Sequence, residues 1–198
     1  MRTISPALTA HLAARRGLVV RLLFYAWPKN RTTNAIEEIG LWTGSTAQEF
    51  TIEGDTRTYI GAGGVMSVAS IVTAIGLDIR HQRISLNNIF PEVEDLMRLY
   101  EPHTAPAVLH RALFDPDTRA LLEEPHRLFK GAIEKAPSKR PEAGGVATAD
   151  LSLVSSARRL TRTLTARQSD ANQQQRGADR ALRWADVSGE IVTPWGEA

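Results

Sequence analysis

The sequence contains no cysteine. Disulfides, thiolate zinc sites, iron–sulfur clusters and cysteine nucleophiles are therefore excluded, and the composition suits a reducing compartment. No apolar run reaches the roughly 18 residues that a membrane-crossing helix requires. Net charge is nearly absent too: 24 Lys and Arg against 22 Asp and Glu leave +2. A protein that coats duplex nucleic acid carries a larger surplus. Phosphate-cradling and nucleophilic motifs are also missing. Gly61-Ala62-Gly63-Gly64 runs into Val65, with no lysine to reach a phosphate, and no Gly-x-Ser-x-Gly elbow occurs. The histidines, His11, His81, His103, His110 and His126, include no pair at helical metal-motif spacing. His81 and His110 fall in strand candidates that a fold could bring together.

What is present points to a packed protein. Hydrophobic residues make up 42% and charged residues 23% of 198 positions, enough for a buried core in one large domain or two small ones. The start, MRTISPALTAHLAARRGLVVRLLFYAW, has a signal-like texture, but Arg15, Arg16 and Arg21 interrupt it. It reads instead as a helix over Ser5–Arg16, capped by Ser5, opened by Pro6 and stopped by Gly17, then a strand over Leu18–Ala26. Pro28–Arg31 reads as a loop. Glycines then punctuate short β-type runs, with a hairpin of Phe50–Glu53 and Thr56–Ile60 turning at Gly54-Asp55. Leu77–Leu86 is a strand whose imperfect alternation predicts a bulge near Gln82. Pro91–Tyr100 is an amphipathic helix with Val93, Leu96 and Met97 on one face.

The second half alternates more clearly. Ala107–Phe114 is a strand, Asp115-Pro116-Asp117-Thr118 a turn, and His126–Lys135 a strand. Pro137–Gly145 is an exposed loop. Val146–Val154 is half-buried, with Ala147, Ala149, Leu151 and Leu153 on one face. Three such strands predict a meander. The expected fold is mainly β, an antiparallel barrel or sandwich with short helices and an irregular helical C-terminal segment. The expected organisation is a β-rich region over 1–76, a β-meander region with its helix over 77–155, and an arginine-rich segment over 156–198 packed on the β domain or on a neighbouring subunit.

Two patterns bear on function. Asp115 and Asp117, with Asp78, Glu92, Glu94 and Asp95 elsewhere, have the chemistry of paired carboxylates, yet they sit where turns and helix starts want acids anyway. In RQSDANQQQRGADRALRW and the stretch before it, Arg158, Arg159, Arg162, Arg167, Arg176, Arg180 and Arg183 face only Asp170 and Asp179, with no lysine between Ser155 and Arg183. Such a run suits a phosphate-tracking surface. It equally suits fixed ion pairs or a protein interface, where the guanidinium fork sets geometry. Trp184 is the only ring close by. Asp170 and Asp179 are expected to pair with the arginines and Asp170 to cap a helix over ANQQQ, with Gln173 and its neighbours hydrogen bonding to backbone.

A composite of motifs then resembles one family. Arg111-Ala112-Leu113-Phe114, the Asp-Pro turn, Phe129-Lys130-Gly131, and Ser169-Asp170-Ala171-x-Gln173 followed by Gly177-x-Asp179 resemble the baseplate hub or minor tail proteins of long-tailed bacteriophages and gene transfer agents. The resemblance covers 77–196 well and the first 76 residues loosely. It implies a structural virion protein at the tail tip, made in the host cytoplasm, with no catalytic residue, metal or cofactor. It also implies a homo-oligomeric ring, trimeric by preference. A distal tail protein or tail tube would lie above it and a central fibre or tip protein below, with the tape measure and genome passing through. Some members carry a cysteine-bound cluster, which this chain cannot hold. A non-catalytic module for nucleic acid or carbohydrate is the alternative.

Overall fold

The computed structural model describes residues 4–61, 65–71, 78–87, 90–139, 147–161, 169–175 and 177–184. In chain order the elements are α1 (Pro6–Ala13), β1 (Val19–Ala26), β2 (Lys29–Asn30), β3 (Ile39–Trp42), β4 (Gln48–Ile52), β5 (Asp55–Tyr59), β6 (Val65–Val68) and β7 (His81–Asn87). Then come α2 (Pro91–Arg98), β8 (Tyr100–Glu101), β9 (Pro106–Phe114), β10 (His126–Lys135), β11 (Ser138–Lys139), β12 (Thr148–Ser155), a 3-10 helix (Ser156–Thr161) and α3 (Asp170–Gln174). The protein is mainly β, as the alternating texture predicts. Residues 1–159 form one compact unit and 160–198 a second.

One antiparallel sheet dominates, in the order β3-β1-β9-β10-β12-β7-β6, with β11 beside β12. The meander β9-β10-β12 lies at its centre, flanked by β1 on one side and β7 on the other. Because β1 pairs with β9 from Val19↔Phe114 to Ala26↔Ala107, the stretches 1–76 and 77–155 share this sheet. Successive strand residues point to opposite faces, and each face is buried differently. All seven strands of that path feed one core, including Phe24, Leu41, Val65, Ile84, Leu109, Ile133 and Leu151, and α2 closes over it with Val93 and Leu96. On the opposite face, Leu23, Tyr25, Val108, Ala112 and Phe114 are covered by the β4–β5 hairpin through Phe50, Ile52 and Tyr59.

Several local expectations shift by a residue or a partner. Ser5 does cap α1, its Oγ accepting from the Leu8 amide at 3.2 Å. The helix ends earlier than Arg16, and Arg15, not Gly17, takes the left-handed conformation at φ 51°. Lys29–Asn30 is not simply loop, because it pairs with Glu101 and Tyr100. The hairpin turns at Glu53-Gly54, where φ is 54° and 87°. Both positive values give the turn hand that matches strand twist, which glycine adopts freely. On β7 the buried positions are Gln82, Ile84 and Leu86, an unbroken alternation. Gln82 occupies an inward position, its Nε2 donating to the Ala69 carbonyl at 2.7 Å. A polar residue in the apolar phase had imitated a bulge. The irregularity lies on the partner strand, between Val65 and Ser67.

The second half follows its pattern closely. Ala149, Leu151 and Leu153 are buried on β12, with Thr148, Asp150 and Ser152 half-buried. The Asp115 Oδ1 accepts from the Asp117 amide at 2.9 Å, forming the expected turn. In the Pro137–Gly145 stretch, Ser138–Lys139 pairs with Ala149 and Thr148, and residues 140–146 lie outside the described residues.

Candidate functional site

Of the arginine-segment residues, Arg162, Arg167 and Arg176 lie outside the described residues. The others separate into three sets. Arg158, on the 3-10 helix, donates to Glu134 on β10. His81 Nδ1 approaches the same carboxylate at 3.2 Å. The Arg158 hydrogen bond holds the Glu134 carboxyl below its ordinary value. His81 and His110 do not meet, since β10 and β12 separate their strands.

The second set closes the Ser169–Trp184 stretch on itself. Ser169, not Asp170, caps α3, accepting from the Asn172 amide. Asp170 is the first helical residue. Its Oδ2 accepts from Arg180 Nη2 at 2.8 Å and Gln174 Nε2 at 2.7 Å. The Arg180 hydrogen bond lowers its pKa from the ordinary value, with help from Gln174. Gln173 donates to Asp179 Oδ2 at 2.7 Å, a side-chain partner where backbone was expected. Asp179 Oδ1 then accepts from the Ala181 amide at 3.0 Å, so its partners among the described residues are an amide side chain and a backbone amide, not an arginine. Gly177 and Ala178, at φ 110° and 59°, reverse the chain between the partners.

The third set, Arg159 and Arg183, makes no ion pair among the described residues. The Arg183 guanidinium lies 4.8 Å from the Trp184 ring centroid, and Trp184 is 65% exposed. Among the described residues of 160–198 none is buried.

Removal of the Asp170 carboxylate frees both Arg180 and Gln174. In Asp170→Ala, amide exchange across 169–184 is expected to accelerate, while the melting of the β-sheet unit stays unchanged. Hydrogen exchange read by mass spectrometry checks both.

Two features escaped the sequence reading. The first is an open cleft of about 420 Å³ on the 1–159 unit, walled by Tyr25, Glu38, Arg57, Glu92, Asp95 and Tyr100. These residues come from β1, the segment before β3, β5, α2 and β8. Glu38 accepts from the Tyr25 hydroxyl at 2.6 Å and the Trp27 indole at 3.3 Å. Tyr100 donates to Glu37 at 2.7 Å. Burial and the Glu38 carboxylate push the Tyr25 phenol well above its ordinary value, and the Glu37 hydrogen bond raises Tyr100 to about 12. Both phenols stay protonated and act as donors. Arg57 lies 5.4 Å over both Tyr25 and Trp27.

The second feature is His110, 1% exposed on β9 beneath the β4–β5 hairpin. Burial pushes its pKa down to about 4. Its Nδ1 has no hydrogen-bond partner. Neither feature has a local signature, because each assembles from strands distant in sequence.

No protein-family model matches the sequence, and no curated protein matches it. Among the described residues no group of three or more His, Cys, Asp or Glu is placed to hold a metal ion.

Proposed function

We propose that this chain is a structural component of a phage-type tail tip, a baseplate hub or minor tail protein. It assembles into a ring that joins the tail tube to the distal tip or central fibre. The observation that carries this reading is the Ser169–Trp184 stretch. It is shaped by its own side-chain hydrogen bonds, has no buried described residue, and turns Arg183 and Trp184 outward. A segment of this length without a core gains its stability by covering another surface, and Arg and Trp are the residue types that dominate interface energetics. This stretch is also the strongest carrier of the family resemblance.

A second surface supports the same reading. Ile4, Leu12 and Val20 are 54%, 46% and 51% exposed and, with Leu8 and Leu113, wall a groove of about 330 Å³. Contiguous apolar surface of this kind marks contact with another protein. The nucleic-acid alternative loses force because Arg158 is engaged by Glu134 and Arg180 by Asp170. Fewer guanidinium groups are left for phosphates, and among the described residues of this segment Trp184 is the one ring.

Sedimentation of the purified chain, alone and with duplex DNA, separates the two readings. The tail-tip reading expects a closed oligomer, trimeric by preference, that persists at about 0.5 M salt, where phosphate-tracking complexes dissociate. A monomer that binds DNA tightly at low salt and releases it at high salt would sink it.

A further inference from the structure

The cleft on the 1–159 unit is unbalanced in charge. Glu38, Glu92 and Asp95 face one cation, Arg57, and Arg57 shares its charge with Asp55 at 3.3 Å. Glu38 is satisfied by Tyr25 and Trp27. Glu92 is not: its Oε2 is out of contact with solvent and has no hydrogen-bond partner. A carboxylate oxygen withdrawn from water without a donor is costly, so this oxygen of the half-buried Glu92 favours a donor brought to it from outside the wall. Asp95 makes no ion pair among the described residues, whereas its neighbour Glu94 is taken by Arg98 at 2.6 Å. The wall therefore offers two uncommitted carboxylates beside two phenol rings.

The complement lies on the same chain's sequence. Arg183 makes no ion pair among the described residues, although its charge acts on Asp170, and its guanidinium is stacked on an exposed indole. An arginine backed by tryptophan offers what such a wall takes: a planar, permanently charged donor fork for carboxylates, and a ring to cover the tyrosines. The same pairing of guanidinium and ring occurs at the cleft wall, where Arg57 sits over Tyr25 and the adjoining Trp27.

We propose that the cleft formed by Glu38, Glu92, Asp95 and Tyr100 receives the Arg183–Trp184 pair of a second copy of this chain. This inference rests on the assembly reading above and assigns it a contact. The contact is heterologous: one copy's cleft takes the next copy's arginine. Repeated about an axis, such contacts form a ring when the rotation between copies closes. Arg183 donates to the Glu92 and Asp95 carboxylates, and Trp184 covers the ring of Tyr100.

The test uses the full chain in sedimentation velocity with two charge reversals, Asp95→Arg and Arg183→Glu. Each alone is expected to weaken self-association by at least about tenfold. Both in the same chain restore it, because the pair is re-formed with its signs exchanged. Mixing the two single variants is expected to restore association between unlike copies, since each copy's cleft then meets a segment of opposite sign on the other. Thermal melting of each variant establishes that it folds. Both substituted side chains are exposed, and Arg183→Glu alone still tests the contact where Asp95→Arg does not fold. A wild-type oligomer undisturbed by either reversal overturns the cleft contact and leaves the assembly reading standing. A wild-type chain that stays monomeric overturns both. Loss of association that the double reversal fails to restore also counts against the pairing.

Discussion

Gly131→Ala is expected to destabilise the β-sheet unit by about 2–3 kcal/mol, lowering its melting temperature by roughly 5–10 °C. Gly131 lies on β10 at the middle of the sheet, opposite Ala107 on one side and Ser155 on the other. A Cβ at this position collides with the carbonyl of Val154 and comes within 2.9 Å of the Phe129 ring. The ring can turn. The carbonyl cannot move without opening the ladder that pairs Ala132 with Val154, so the strain has no inexpensive outlet. Gly131 also closes the Phe129-Lys130-Gly131 motif, which gives that part of the resemblance a physical basis: the backbone of β12 occupies the space of the missing side chain. Thermal unfolding followed by circular dichroism measures the effect. A variant that melts within a degree of wild type contradicts the packing of β10 on β12.

The second large effect is acid lability centred on His110. Burial beneath the β4–β5 hairpin lowers its pKa from 6.5 to about 4, and Arg57 and Arg127 act in the same direction while Glu53 and Glu124 oppose them. The hairpin tip is tied down over this site by the Arg127–Glu53 ion pair at 2.9 Å. The unfolded chain takes up a proton on this imidazole near pH 6.5, whereas the folded chain does not until about pH 4. Stability contributed by the neutral imidazole is therefore complete above pH 6.5 and is lost as pH falls toward 4, with no further loss from this group below. The loss amounts to no more than about 3 kcal/mol across that window. His110→Leu removes the titration, and because Nδ1 has no partner, little hydrogen bonding goes with it. Urea midpoints from pH 7 to pH 4 are expected to fall less steeply for His110→Leu than for wild type. Parallel slopes would place the acid sensitivity elsewhere.

The fold was legible where one residue's environment repeats along a strand. β12 alternates along most of its length, β9 is an almost unbroken buried run because both its faces are covered, and the turn at Asp115 has the side-chain hydrogen bond its residue types prescribe. Legibility failed where a side chain took an unexpected partner across the sheet. Gln82 satisfies itself on the Ala69 carbonyl and so keeps an inward position that its polarity argued against. Lys29–Asn30 is a strand only because Tyr100–Glu101 arrives beside it. The same holds for function. The arginine segment was conspicuous in composition, and Asp170 does pair with Arg180, but no local rule could say that Asp179 would choose Gln173. The acidic cleft was invisible because its carboxylates come from β3's approach and from α2, where acids at a helix start look merely structural. His110 likewise stands out only once a hairpin some fifty residues upstream in the sequence is laid over it.

The central claim is that this chain is built into a tail tip. Electron microscopy of phage-like particles from the source cells, decorated with gold-labelled antibody against the purified chain, tests it most directly. The account predicts label confined to the distal end of the tail. Particles that carry no label, or label on the head, would contradict it.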